Sequence, residues 1–406
     1  MSDDRRVVIT GIGLMSALGN TRDAVWSAML GGQCGIRDAT LFDTAGYRSP
    51  LAAEIGTYSR DSAVSPRDWT RLSRSDQTAL IAAREAFEQS GVLASGLARD
   101  RAGIAFGSGT ADLLRNEDWF AEAQTVGLRR AAPGKIFHHF PSAPGDVVAS
   151  HFGLEGPKIS TLCACSSSTV AIGYASDVIR WGQADVMVAG GSDSLCRLTM
   201  SGFNALRLVD SEQCRPFCRT RKGMNIGEAA AVLVLEDFAH ARRRGAAIYA
   251  EVLGYGVRCE AYHPTAPEPD GHAVAALVDD ALGTARISRD EIDHVNAHGT
   301  ATPQNDRAEE RGLGRVFGDR AQTIPVTSIK SMVGHCLSAA GAIEAATLAL
   351  SLKTGVIPPT LHYREADPDC DLDVVANEAR ETRPECGVST SLAFGGNDAA
   401  LVLRRV

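Results

Sequence analysis

The sequence predicts an α/β fold, and three observations predict it. Apolar runs rich in β-branched residues alternate with Ala-rich stretches along the 406 residues. Glycines stand just past the last apolar residue of the helical stretches, which is a stop signal. Two segments also echo one another: IGEAAAVLVL (226–235) returns loosely as GNDAALVL (396–403). The strand–turn–helix pattern around Cys165 likewise resembles that from Lys330 to Glu344. A period this long excludes a solenoid. It implies two related halves, 1–240 and 241–406, meeting near Phe238–Ala247.

Taken in order, strands are predicted over Arg6–Thr10, Gly103–Phe106, Ile159–Leu162, Asp185–Ala189, Ala230–Leu235, His294–Ala297, Pro325–Ile329 and Ala399–Leu403. Helices are predicted over Ser75–Ser90, stopped by Gly91, over Ser166–Trp181, stopped by Gly182, and over Ala339–Leu352. The first strand leads into Gly11-Ile-Gly13, which invites a dinucleotide site. The third glycine of that fingerprint would be residue 16, a serine, and no acidic residue ends a second strand about 20 residues on. The pair reads as a tight turn. Arg242-Arg-Arg-Gly245 reads as a helix C-terminus, arginines against the dipole and glycine as cap.

Composition narrows the function classes. A hydrophobic content of 44% and a charged content of 22% are ordinary for a globular protein. No apolar run spans a bilayer, and MSDDRRVVIT has no signal core, so the cytosol is the expected compartment. The formal net charge of -8 argues against a broad nucleic-acid surface. The ten cysteines are expected as thiols, and neither Cys163/Cys165 nor Cys214/Cys218 has a second pair at zinc spacing, so no metal is expected.

Three stretches carry chemistry. In TLCACSSST (161–169) a strand turns into a small-residue helix and sets Cys165 at its N-terminus. Free N–H groups and the positive dipole end favour a thiolate there, and the same N–H groups suit an oxyanion. A cysteine in apolar surroundings is ordinarily a small buried hydrophobe; the strand–elbow–helix setting marks this one as a nucleophile. Cys163, two residues earlier, reads as structural. NAHGTATPQND (296–306) puts His298 at a strand end among hydroxyls, where it serves a substrate or a loop hydrogen bond equally well. SIKSMVGHCLSAAG (328–341) supplies Lys330 and His335, and Glu344 lies on an Ala- and Leu-lined face, where a carboxylate needs Lys330 or a histidine as partner.

With those motifs the chain resembles the β-ketoacyl-acyl carrier protein synthases of the elongating, synthase II-like type, in the thiolase superfamily. VVITGIG (7–13), ADVMVAGG (184–191), CRPF (214–217), Gly227-Glu228, HGTAT (298–302), Lys330 through His335, GVIPPT (355–360) and FGG (394–396) match in order along nearly the whole chain. The resemblance implies a thiolase fold: two similar α/β halves, each with a mixed five-stranded sheet, stacked in αβαβα layers. It implies acyl transfer to Cys165, decarboxylation of a malonyl-carrier protein, and Claisen condensation. His298 and His335 would stabilise the enolate, and Lys330 would orient them, supported by Glu344 with Asp306 or Glu309. Thr300 and Thr302 would bind the phosphopantetheine arm. Phe394 would gate the acyl pocket, its N–H joining that of Cys165 in the oxyanion hole. No resident cofactor is implied, since phosphopantetheine arrives on the acyl carrier protein.

The resemblance also implies a dimer, either of identical chains or with a chain-length partner. A non-catalytic partner subunit would lack Cys165, and a thiolase would carry a second cysteine where this chain reads AFGGN (393–397). Departures fall at LAFGGND (392–398), Cys218 and Arg221-Lys-Gly223, where the family usually has other residues, and at FHHFPSAP (137–144). They point toward a specialised polyketide or polyene pathway as well as fatty acid synthesis. His138 and His139 read as interface or surface residues rather than metal ligands. Arg67, Arg71, Arg74, Arg129, Arg130 and Arg207 read equally as a basic rim for an acidic carrier protein and as scattered solvated arginine.

Overall fold

A computed structural model describes residues 5–111, 113–136 and 140–406; His138 and His139 lie outside the described residues. The principal sheet has eleven strands among the described residues: β1 (Val7–Ser16), β2 (Ala102–Gly107), β3 (Lys158–Thr161), β4 (Val186–Asp193), β5 (Ala229–Asp237), β6 (Ala250–Cys259), β7 (His294–Asn296), β8 (Pro325–Thr327), β9 (Asp373–Val374), β10 (Cys386–Ser391) and β11 (Asn397–Arg404). Their order is β9-β8-β7-β10-β11-β6-β1-β5-β4-β2-β3.

From β1 outward the pairings with β5, β4, β2 and β3 run antiparallel, antiparallel, parallel, parallel. From β6 outward, β11, β10, β7 and β8 repeat that sequence of directions. The expected pair of separate five-stranded sheets is corrected in one respect. The two runs are joined edge to edge, where Val7, Val8 and Ile9 pair with Val252, Glu251 and Ala250, and β9 adds a short outer edge.

The helices among the described residues include α1 (Arg74–Ser90), α2 (Ala143–Phe152), α3 (Ser167–Arg180), α4 (Arg197–Ala205), α5 (His272–Ala285), α6 (Pro303–Phe317) and α7 (Ala340–Thr354). A Ser73–Asp76 capping box starts α1, and Gly91 ends it at φ 64°. This helix covers β1 and β5, α2 covers β2, and α5 with α6 behind it covers β6 and β11. Between the two runs lie α3 and α7, and each touches strands of both. From Ala340 to Leu352 every residue of α7 is buried. A helix buried all round has no solvent face, so it suits this central layer.

Gly11 and Gly13 do not form a turn. They lie inside β1, where a Cβ at Gly11 would stand 2.1 Å from the Ala86 carbonyl oxygen and one at Gly13 1.8 Å from that of Ala82. Their function is to let α1 close onto the sheet. No helix among the described residues is long and apolar enough to cross a membrane.

Candidate active site

Two sharp elbows on the central layer build the site. The first follows β3: Ala164 takes φ 47°, rare for a residue with a Cβ, and the chain then enters α3. Cys165 is the next residue and is buried. The second precedes α7, with Leu337 at φ 52°. Just ahead of it the His335 N–H donates to the Asn225 carbonyl (2.7 Å), and the His335 carbonyl accepts from Gly227 (2.9 Å). Asp193 ties this elbow to the first run. One of its oxygens accepts from Ser108 Oγ, Gly109 N, Thr110 N and Thr110 Oγ1, at 2.8 to 3.0 Å, and the other from Ser338 N at 2.8 Å. Asp193→Ala would strand these buried donors; a loss of roughly 3 kcal/mol or more in urea unfolding is the expected outcome.

These elbows bring the nucleophile candidate and the imidazoles together. His335 Nε2 lies 3.1 Å from Cys165 Sγ, and the two histidine rings stand edge to face with centroids 5.3 Å apart. The Leu337 N–H donates to His335 Nδ1 at 3.3 Å, which leaves the proton of the neutral ring on Nε2, facing the sulfur. Lys330 Nζ lies 3.3 Å from His298 Nδ1. An ammonium has only protons to offer, so His298 also carries its proton on Nε2. Lys330 in turn pairs with Glu344, each 1% exposed. Burial, the Lys330 charge and, for His298, the second ring hold both histidines well below their ordinary value. Around neutral pH they are uncharged donors.

The loop after β7 is clamped from α6. Glu309 accepts the N–H groups of His298 (2.7 Å) and Gly299 (2.8 Å), and Asp306 accepts those of Ala301 (3.0 Å) and Phe217 (2.8 Å). Asp306 and Glu309 thus support the His298 loop by its backbone; of the three supporting carboxylates, Glu344 is the one paired with Lys330. The clamp sets Thr300 and Thr302 with their hydroxyls 2.9 Å apart. Both threonines line a cavity of about 170 Å³ together with Cys165, His298, His335 and Phe394.

One electrostatic expectation is reversed. Burial pushes the Cys165 thiol up to about 12, against the pull of the Lys330 charge and of the Phe394 N–H aimed at the sulfur. The resting sulfur is a thiol, because desolvation outweighs what favours the thiolate. Cys163 is half-buried and lies outside this set.

Sequence reasoning missed the apolar side of the cavity, formed by Phe203, Leu206, Leu208 and Met224. Phe203, on α4, stacks at 5.5 Å on Phe394. It also missed Glu260 and Asp398, which line the same space. Of the six arginines proposed as a rim, Arg74 is committed inward to Glu228 and the Ile55 carbonyl. Arg67, Arg71, Arg129, Arg130 and Arg207 are exposed, and Arg207 directly follows cavity-lining Leu206.

A buried thiol facing neutral imidazole donors, beside a cavity in a layered α/β frame, is the equipment of a condensing enzyme that works by acyl transfer. The chain belongs to the β-ketoacyl synthase family: residues 4–241 match the family's N-terminal domain and residues 249–364 its C-terminal domain. It is 39% identical to the tetracenomycin polyketide synthase ketoacyl synthase alpha subunit of Streptomyces glaucescens, covering 99% of this chain and 97% of that one. It is 37% identical to 3-oxoacyl-[acyl-carrier-protein] synthase 2 of Staphylococcus aureus (strain N315), over 100% of this chain and 99% of that one. Among solved structures, the ishigamide ketosynthase/chain length factor superposes with a TM-score of 0.94 at 34% identity, covering 99% of each chain. The architecture is the thiolase fold.

Proposed function

We propose that this chain catalyses decarboxylative Claisen condensation of an acyl group on Cys165 with a malonyl group on acyl carrier protein. The approach of His335 to Cys165, 3.1 Å from nitrogen to sulfur, supports this most directly. In the first half-reaction Cys165 attacks the acyl thioester. Its proton leaves with the departing carrier thiol, and an acyl-Cys165 thioester remains. The N–H groups of Cys165 and Phe394 receive the oxyanion. Malonyl thioester then loses carbon dioxide, and its electron pair becomes an enolate whose oxygen is held by the Nε2–H donors of His298 and His335. The enolate carbon attacks acyl-Cys165 and expels the sulfur as a thiolate, which takes a proton from water to restore the thiol. Decarboxylation supplies the carbanion, so the scheme needs no resident metal or redox cofactor; the phosphopantetheine arm comes with its carrier and lies along Thr300 and Thr302.

We read the chain as two units, 1–240 with the nucleophile and 241–406 with the donors, acting in the cytosol. A second reading concerns assembly. The chain's likeness to an alpha subunit and to a ketosynthase/chain length factor favours a heterodimer with a chain-length partner over a homodimer. Strand β3 ends the sheet, and Leu162 beside it is 60% exposed, which offers a partner an edge. The test incubates the chain with acyl- and malonyl-carrier proteins of graded length and reads intact mass. One acyl group per chain on Cys165 and a 3-oxoacyl-carrier product are expected; malonyl-carrier protein left unconsumed beside a fully acylated enzyme would refute condensation.

A further inference from the structure

The loop that carries Phe394 is held from one side by two acids. Asp398 starts where β11 leaves that loop, and Glu260 follows the end of β6. Asp398 Oδ1 accepts the Ala393 N–H at 2.9 Å. Glu260 Oε2 accepts the Glu268 N–H at 3.2 Å. The remaining oxygens, Asp398 Oδ2 and Glu260 Oε1, are buried with no partner, although the two carboxyl groups lie within hydrogen-bonding reach of each other. Two carboxylates cannot satisfy one another, whereas a carboxylic acid and a carboxylate can. One proton shared between the two groups would let them hydrogen-bond to each other.

Among the described residues, none of the charges acting most on the pair is a cation. Arg258 pairs with Asp398 in the β6–β11 register, but its guanidinium turns to Asp280. The other charges acting most on the pair are carboxylates, Glu309 from α6 and Glu268 from its own segment. His263, His298, His335 and Cys165 line the same cavity. Burial first, and then the neighbouring acid, raise Asp398 above the usual carboxylate range; burial raises Glu260.

We propose that Glu260 and Asp398 share one proton, and that this carboxyl pair is a positioning latch fixing the Phe394 loop to the 260–268 segment. The backbone reinforces the same junction: Glu260 N–H donates to the Gly396 carbonyl (3.0 Å) and Gly395 N–H to that of Pro264 (2.8 Å). Through the loop, the latch places the Phe394 N–H at Cys165 and the Phe394 ring against Phe203. Loss of the proton sets two anions face to face, Asp398 buried and Glu260 half-buried. Because the folded-state value is raised, the latch is present at lower pH and lost as pH rises through that value. The proposal rests on Cys165 as the acyl acceptor.

Asp398→Asn is the decisive variant. Its amide oxygen still accepts the Ala393 N–H, and its NH₂ donates to Glu260 without a shared proton; Glu260→Gln supplies the same donor from the other side. Full-length wild type and both variants are acylated with the hexanoyl thioester of N-acetylcysteamine from about pH 6.5 to about pH 9, and initial rates are read by intact mass. The ratio of variant to wild-type rate cancels the titration of Cys165 common to both. That ratio is expected to climb about fivefold or more toward alkaline pH, whatever its value at the acid end. A ratio constant within about twofold, with wild type still acylated on Cys165, overturns the latch alone. No adduct on wild-type Cys165 overturns the reading beneath it, and the latch with it.

Discussion

Cys165→Ala takes up no acyl group from an acyl-carrier protein, and condensation falls at least about 10⁴-fold, the scale on which loss of a covalent nucleophile is felt. The reason is local. Among the described residues lining the cavity, Cys165 is the one cysteine. The donors are untouched by the change, since His298, Lys330 and Glu344 hold one another and His335 is fixed by its own backbone and by Leu337. Malonyl-carrier protein should therefore still release carbon dioxide in the variant while no 3-oxoacyl product forms. Intact mass and carbon dioxide release measure the two halves separately. An acylated Cys165→Ala chain would show that the nucleophile lies elsewhere.

Lys330→Met gives the second large effect, on stability as well as rate. Glu344 would be left buried without its partner, and breaking a buried pair from one side costs about 3–5 kcal/mol. Condensation is expected to fall roughly 10²- to 10³-fold, because the Nδ1 of His298 loses the donor that fixes its tautomer. The double variant Lys330→Met/Glu344→Leu separates these effects. With both charges replaced by apolar groups, stability should return to within about 2 kcal/mol of wild type in urea unfolding, while activity stays low. Recovery of activity with stability would mean that the pair serves only to fill the core.

The sequence carried the elbows because their signals are local. A strand, a short turn and a small-residue helix are adjacent in the chain, so Cys165 and His335 were legible from their neighbours alone. What was lost depends on distant partners. Gly11 and Gly13 read as a turn because the helix that presses on them lies some 70 residues on. β6 was missed for the same reason: Gly254 and Gly256 interrupt its apolar pattern, and each makes room for α5, where a Cβ would stand 2.4 Å from Ala285 N and 2.8 Å from the Leu277 carbonyl oxygen. Missing β6 also hid Glu260 at its end. Arg74 read as a surface charge because its partner Glu228 sits far along the chain, on the way into β5. The thiol of Cys165 shows the other limit. Helix position can be read from a sequence, but the depth of burial that opposes the thiolate cannot.

One consequence follows from where the reacting groups are anchored. The sulfur sits in the turn just ahead of α3, while both imidazoles and the ammonium hang from the segments around β7 and β8 and ahead of α7, across the central layer. The reaction centre is thus a joint, and its alignment is only as good as the registration of the two sheet runs along that joint. Any ligand or neighbouring chain that shifts one run against the other by a fraction of an ångström would act on turnover without touching a single reacting atom.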